Sequence, residues 1–421
     1  MSDRKLSFKN EEKIANAKFQ VGNFSFLSHN AVNKVTYELF KELLKNQVLT
    51  SEDQEISKEI IDSLKKNGKL PFHWSPQESD WLKNNELSRW LEYILFRFKF
   101  RLYPERKIVS KFPLYLLVEP ASACNLRCPM CFQSDKSFTK KEFMGVMELD
   151  VFTRIVDEAV EGGTKAMTLA SRGEPTLNKD FGKMMHYASK KFLELKIITN
   201  ATKLTEKLSH DILSSEVDLL VFSIDAHTKD IYEKYRPSVT GKGNFEEVRD
   251  NVRRFHEIRK SHYPNSSLIT RISGVQVGDD QDPDGFKDFW SPFADEVGMK
   301  KAMERWDTYN NELHPDLKSP CGYIWERMYI WYDGQTNVCD ADYKTILDLG
   351  TISNFAPNKS SLSNPLEIPV TNLSEKWVSD RKNSFSTISE IWHGEKLSQL
   401  RTNHINGNRG LHEPCDRCGI S

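Results

Sequence analysis

Hydrophobic positions change their period along this chain. Up to about residue 110 they recur at helical spacing. Val35, Leu39, Phe40, Leu43 and Leu44 share one face, as do Ile56, Ile60, Ile61 and Leu64. Ser51 is placed to cap the second of these helices and Gly68 to stop it. Trp81, Leu82, Trp90, Leu91, Ile94 and Leu95 continue as one further amphipathic helix. Phe19 to Phe26 partly alternates and reads as a short strand or hairpin. Residues 1–110 are thus expected to form a mostly helical extension. It would serve as a cap over part of the next domain or as a small winged-helix-like module that grips a peptide.

From Pro113 the pattern becomes strand alternating with helix. PLYLLVEP, AMTLAS, LKIITNA, VDLLVFSIDA and LITRISGVQV read as buried strands. Between them lie amphipathic helices. One carries Phe152, Ile155, Val156, Ala159 and Val160, with Asp150 as its cap and Gly162-Gly163 as its stop. A second carries Phe181, Met184, Met185, Ala188 and Phe192, the methionines read as core. A third carries Phe245, Val248, Val252, Phe255 and Ile258. Such alternation predicts an α/β fold with a parallel sheet, open or closed into a barrel, over residues 111–309. In such a barrel the chemistry lies in loops after the strands. Cys124, Glu174, Asn200, Ser223 and Asp225 all fall at or just after strand ends. Beyond residue 309 the alternation stops. YIWERMYIWYDGQTNVC suggests two short strands turning at Asp333-Gly334, residues 353–386 an irregular insertion, and Ile388–Arg401 a helix.

Composition narrows the class. The chain has 421 residues, enough for two or three domains, and 38% hydrophobic with 28% charged residues, as in a soluble globular protein. Its formal net charge is −1, so no basic excess points to a nucleic-acid partner. No apolar run is long enough to span a bilayer, and the N-terminus lacks the apolar stretch of a signal peptide, so a reducing cytoplasm is expected. In that compartment the seven cysteines are not a disulfide framework.

The cysteines divide into a triplet and a dispersed quartet. Cys124, Cys128 and Cys131 form C-x3-C-x2-C in the loop after the first strand. Structural zinc wants four ligands, and the next histidine is His186. Three thiolates without a near fourth ligand suit a [4Fe–4S] cluster with one open iron, with a zinc knuckle or buried thiols as alternatives. Cys321 and Cys339 have 17 residues between them, Gly334 included, and Cys415-x2-Cys418 lies near the end. Four cysteines close a site completely, and spacing alone fits zinc and [4Fe–4S] equally.

VEPASACNLRCPMC resembles the cluster loop of the radical S-adenosylmethionine (SAM) enzymes. The resemblance implies a partial (β/α)6 barrel in which Cys124, Cys128 and Cys131 hold three irons and SAM chelates the fourth. Arg172-Gly173-Glu174-Pro175 is similar to that family's Gly-Gly-Glu-Pro, which contacts the SAM amino group, with Arg172 in place of the first glycine. Thr199-Asn200 matches a strand end near SAM. Ser223-Ile-Asp225 with Tyr232-Glu-Lys-Tyr-Arg236 resembles the segment that meets the ribose and the SAM carboxylate. The cofactor-binding residues implied are Gly173, Glu174, Asn200, Ser223, Asp225 and Arg236. The C-terminal region, residues 310–421, resembles the small cysteine-rich Twitch form of a SPASM domain. That implies an auxiliary [4Fe–4S] cluster on Cys321, Cys339, Cys415 and Cys418, with Ile391, Trp392 and Gly394 marking a helix start.

The activity implied is reductive cleavage of SAM to a 5′-deoxyadenosyl radical that abstracts a hydrogen atom from substrate. A flavodoxin- or ferredoxin-type protein would donate the electron. Three plus four ligands use all seven cysteines, so no thiol remains to return a hydrogen atom. That favours oxidation or rearrangement with the auxiliary cluster fully ligated, in an oxidoreductase-like enzyme acting on a small polar substrate such as a sugar or aminocyclitol. A peptide-modifying maturase is the alternative, and a non-catalytic iron–sulfur carrier or zinc scaffold a further one. Arg271, Ser273, Gln276, Trp306 and Asp342 are candidate substrate contacts, each with a structural role as its alternative.

Overall fold

The computed structural model describes residues 29–45, 49–73, 75–302, 307–314, 316–352 and 386–418. The expected strand at Phe19–Phe26, the contact Trp306 and the insertion 353–385 lie outside them. The described residues belong to two compact units, residues 1–109 and 110–421.

Four helices are the regular elements of the first unit among its described residues: α1 (His29–Lys45), α2 (Ser51–Asn67), α3 (Pro76–Asn84) and α4 (Leu87–Arg106). Two details depart from expectation. The cap of α2 is Thr50, one residue earlier than Ser51, because its hydroxyl accepts from the Asp53 amide; Gly68 ends the helix in the left-handed conformation, φ 65°. The single helix expected over Trp81–Leu95 is two, broken at Asn85-Glu86, with Ser75 and Glu78 forming a reciprocal capping box ahead of α3. Trp81 stacks on Tyr93 across that break at 3.7 Å between ring centres.

The second unit is built on a sheet of nine strands among the described residues. These are β1 (Tyr115–Val118), β2 (Ala166–Leu169), β3 (Glu194–Thr199), β4 (Leu219–Ser223), β5 (Ile269–Gln276), β6 (Glu296–Lys301), β7 (Arg327–Ile330), β8 (Gln335–Asn337) and β9 (Gly350–Thr351). Their order is β6-β5-β4-β3-β2-β1-β7-β8-β9. The first six run parallel in chain order, as an α/β partial barrel requires. The hairpin expected at Asp333-Gly334 is β7–β8. Its first strand also adds to the barrel sheet, parallel to β1, with Tyr115 opposite Arg327.

Crossover helices cover the outer face. Those that matter for the site are α5 (Leu149–Gly162), α6 (Phe181–Ala188), α7 (Glu206–Ser214), α8 (Lys229–Tyr235), α9 (Phe245–His262) and α10 (Pro283–Trp290). The residue before α5 is Glu148, so Asp150 sits in its first turn rather than at its cap; α6 ends before Phe192, which packs from the following loop. One continuous core joins Leu116, Val118, Leu195, Ile197 and Phe222 of the strands to Phe152, Met184 and Val252 of the helices. It extends to Ile388, Trp392 and Leu397 of the C-terminal segment. That segment holds α11 (Tyr323–Glu326), α12 (Ile388–Trp392) and α13 (Glu395–Ile405). The helix expected over 388–401 is thus interrupted at Gly394. No helix among the described residues is long and apolar enough to cross a membrane.

Candidate functional site

The triplet loop leaves β1 and doubles back. The Cys131 amide bonds the Cys128 carbonyl at 3.0 Å, and the amides of Glu119 and Ala170 tie the ends of β1 and β2 to neighbouring strands. Gly173 closes this arrangement. A Cβ on it would lie 2.4 Å from the Ala121 and Ala123 carbonyl oxygens, so only glycine lets the turn after β2 rest on the loop. The close approach expected of this motif therefore survives the replacement at Arg172.

Arg172 itself has a role that spacing did not reveal. Its guanidinium meets Glu119 at 2.7 and 2.6 Å, both side chains buried, and its Nη1 donates to the Tyr343 carbonyl at 2.9 Å. It also lies 4.1 Å from the centre of the Trp331 ring. Glu119 in turn accepts from the Tyr332 amide. One buried ion pair thus joins the ends of β1, β2 and β7 and the loop after Cys339. Ser171, just before it, has φ 130°, a backbone conformation non-glycine residues rarely adopt. Gln133, also missed, bridges the Ser122 and Arg172 carbonyls from the residue pair after Cys131.

The other motif residues converge beside the loop. Glu174 accepts from the Thr199 hydroxyl at 2.7 Å and the Asn200 amide at 2.7 Å, and also from the amide and hydroxyl of Thr176. Burial pushes its carboxyl above the usual carboxylate range against these bonds. Asn200 donates to Asn125 at 3.0 Å, and its Nδ2 lies 3.9 Å from the Cys124 sulfur. Arg236 reaches Asp225 at 2.7 Å and Ser223 at 2.8 Å, while Asp225 also accepts from the Val275 amide. Tyr232 lies within reach of this group's charges: Arg236, Cys128, Asp225 and Cys124 all act on its phenol. That hydroxyl is buried and has no hydrogen-bond partner among the described residues.

The triplet thiols act on one another and are held up chiefly by burial, Cys128 to about 12. Burial likewise raises the Cys321, Cys339 and Cys415 thiols. Cys339 feels Cys321 and Cys418, and Cys415, pushed up to about 12, feels Cys321 and Cys418. The fold therefore gathers residues nearly a hundred positions apart. The buried Arg409 guanidinium lowers both Cys321 and Cys415, and no sequence pattern had marked it. No three His, Cys, Asp or Glu side chains among the described residues are drawn together as for one metal ion. The residues present fit the implied groups: two sets of half-buried thiols, each with an arginine acting on it, a glycine cradle, a donor unpartnered among the described residues and an N–H group near sulfur.

Between the two sets, Phe132 stacks on Tyr343 at 5.1 Å and 22°. Tyr343 also bonds Asp135 at 2.8 Å.

Of the expected substrate contacts, Asp342 is a structural pin: it is fully buried and takes bonds from Tyr309, Asn337 and the amides of Ile346 and Leu347. Arg271 is paired with Glu296 at 2.5 Å, and Gln276 leans on the Gln281 carbonyl at 3.5 Å. Ser273 lies opposite Ser223.

Comparison with known proteins finds similar stretches and one similar fold. A 112-residue stretch is 37% identical to the tungsten-containing aldehyde ferredoxin oxidoreductase cofactor-modifying protein of Pyrococcus furiosus, covering 26% of this chain and 30% of that one. A 150-residue stretch is 32% identical to the cysteine-type anaerobic sulfatase-maturating enzyme of Clostridium novyi, covering 33% and 40%. The chain thus spans well under two thirds of the length of these relatives. Streptococcus suis SuiB bound to precursor peptide SuiA aligns with TM-score 0.48 at 13% identity, over 91% of this chain and 92% of that one. Residues 118–280 match the family model of the radical SAM superfamily.

Proposed function

We propose that the chain is a radical SAM enzyme that abstracts a hydrogen atom from a small polar substrate within the barrel. The observation that carries the reading is the convergence of Gly173, Glu174, Asn200 and the Asp225–Arg236 pair on the Cys124 loop. Cys124, Cys128 and Cys131 would hold the SAM-binding cluster, and Cys321, Cys339, Cys415 and Cys418 an auxiliary one. When bound and reduced, the first cluster supplies the electron that cleaves SAM to the radical that attacks substrate.

The chain's own residues orient and seal. Glu174 fixes the end of β3 through Thr199 and Asn200 and keeps one carboxylate oxygen with a single bond, able to accept an ammonium. Arg236, held by Asp225 and Ser223, presents the remaining face of a planar cation to a carboxylate. Tyr232 offers its spare hydroxyl beside it. Arg409 offsets negative charge at the quartet, which suits a site that accepts an electron. A flavodoxin- or ferredoxin-type donor would supply the reductant.

A second reading, a maturase acting on a peptide or protein, is favoured by the relative named for sulfatase maturation. The test is anaerobic: reconstituted protein with SAM and dithionite should form 5′-deoxyadenosine, and Cys124→Ala should not. Absence of deoxyadenosine from iron-loaded protein would overturn the assignment.

A further inference from the structure

The inner face of the sheet carries a cation that nothing described so far uses. Strand β3 alternates: Leu195 and Ile197 point into the core against the helices, and Lys196 points the other way, half-buried. Its ammonium makes no hydrogen bond or ion pair among the described residues. The charges that act on it come from four strands: Arg271 of β5, Glu194 of β3 itself, Arg327 of β7 and Lys300 of β6. On a flat sheet β7 would stand three strands from β3, roughly 14 Å away at normal strand spacing. Register puts these groups on one face: Lys196 lies opposite Thr168, whose hydroxyl meets Tyr115, and Tyr115 lies opposite Arg327, while the Arg271 and Lys300 cations of the other flank act on the same ammonium.

The neighbours are balanced in different degrees. Arg271 is paired with Glu296, and Arg327 with Glu326. Arg327 is nonetheless left with a buried Nε that has no acceptor among the described residues. Lys300 is exposed on β6, the free edge of the sheet and the open flank of the barrel. The lumen therefore holds an unpaired lysine, a guanidinium with a spare donor and a lysine at its mouth. Thr168 and the Tyr115 hydroxyl, bonded at 2.7 Å, add polar lining beside Lys196. Burying a cation without a counter-ion is costly, and an oxyanion bound there would remove the cost.

We infer that the substrate carries an oxyanion group, carboxylate or phosphate, which Lys196 and Arg327 hold inside the barrel. This deepens the reading above, from a small polar substrate to an anionic one, and rests on it only for the identity of the ligand as substrate. Burial and the neighbouring guanidinium of Arg271 lower the Lys196 ammonium to about 8, with Arg327 and Lys300 acting in the same direction and Glu194 against. Anion binding therefore weakens as pH rises through that value.

The experiment uses the full chain without SAM, titrated with inorganic phosphate and with succinate at constant ionic strength, by calorimetry at pH 7 and 9. Wild type should bind at least one of the two, tenfold more weakly at pH 9. Lys196→Met should lose tenfold or more at pH 7 with the pH dependence abolished, and Lys196→Arg should retain binding. Binding of phosphate alone assigns a phosphorylated substrate, and of succinate alone a carboxylate. Equal binding by wild type and Lys196→Met, or by neither anion to wild type, overturns the inference. Lys196→Gln stands in if the methionine variant does not fold. Failure of deoxyadenosine formation with Lys196-dependent anion binding intact would remove the radical reading and leave the anion site.

Discussion

The two cysteine sites are assembled in opposite ways. The triplet comes from eight consecutive positions in one loop, and the barrel supplies its surroundings: strand ends, the Gly173 turn and the Arg236–Asp225 pair. The quartet draws on positions 321 to 418, and the polypeptide between them supplies the surroundings, including Arg409 and the β7–β8 hairpin. A local site tolerates the loss of a ligand without losing its fold. A site that closes long stretches of chain is part of the fold, and removing it releases the segments it joins. The Arg172–Glu119 pair lies where these two designs meet, because the same guanidinium holds the turn at Gly173 and the carbonyl of Tyr343.

The sharpest contrast should come from single ligands. Cys124→Ala should lower deoxyadenosine formation by at least about a thousandfold while leaving the circular dichroism spectrum and the quartet's metal unchanged. Cys418→Ala should leave SAM cleavage measurable, yet raise hydrogen exchange in residues 386–418 by roughly tenfold or more. If the two variants behaved alike, the distinction between local and dispersed sites would fail. Next comes the junction. Arg172→Met leaves Glu119 buried without its partner and should cost about 3–5 kcal/mol, seen as a Tm lower by roughly 10 °C. Adding Glu119→Gln should recover part of that loss, and no recovery would mean the pair is not the cause. The smallest effect should be at Tyr232. Tyr232→Phe removes a buried hydroxyl with no partner among the described residues, so metal-free protein should be as stable as wild type or about 1 kcal/mol more stable. Its SAM affinity, measured on reconstituted protein, should fall about tenfold. A destabilised metal-free variant would show that the hydroxyl is already satisfied.

Much of this was legible because it is local. Short buried apolar runs and helical patterns marked β1 to β5 and the helices between them, and the triplet spacing marked its loop. The strand β6 escaped notice because EVGMKK lies at the sheet edge, half exposed, and lacks the continuous apolar run of its neighbours. The boundaries that moved did so for local reasons: Thr50 outcompetes Ser51 for the amide of Asp53, and Gly394 caps a new helix instead of continuing one. Long-range partners were not legible. Arg172 read only as a departure from a glycine, yet a basic residue after one buried strand and the acidic Glu119 after the adjacent one were the available signal for a pair. Asp342 was a candidate substrate contact at the barrel mouth, with a structural role as its alternative. The fold instead spends it on Tyr309, Asn337 and two amides. Lys196 was invisible in LKIITNA, where one lysine in a buried strand reads as noise until the register of the sheet gives it neighbours.

We propose that two separate clusters occupy two separately built sites. Iron, sulfide and zinc should be counted on anaerobically reconstituted wild type, on the chain with Cys124, Cys128 and Cys131 all changed to Ala, and on the chain with Cys321, Cys339, Cys415 and Cys418 all changed to Ala. The account predicts about eight irons in the first, about four in each of the others, and no zinc. Zinc in wild type that disappears only from the quartet variant, or an iron count that the triplet substitutions leave unchanged, would contradict it.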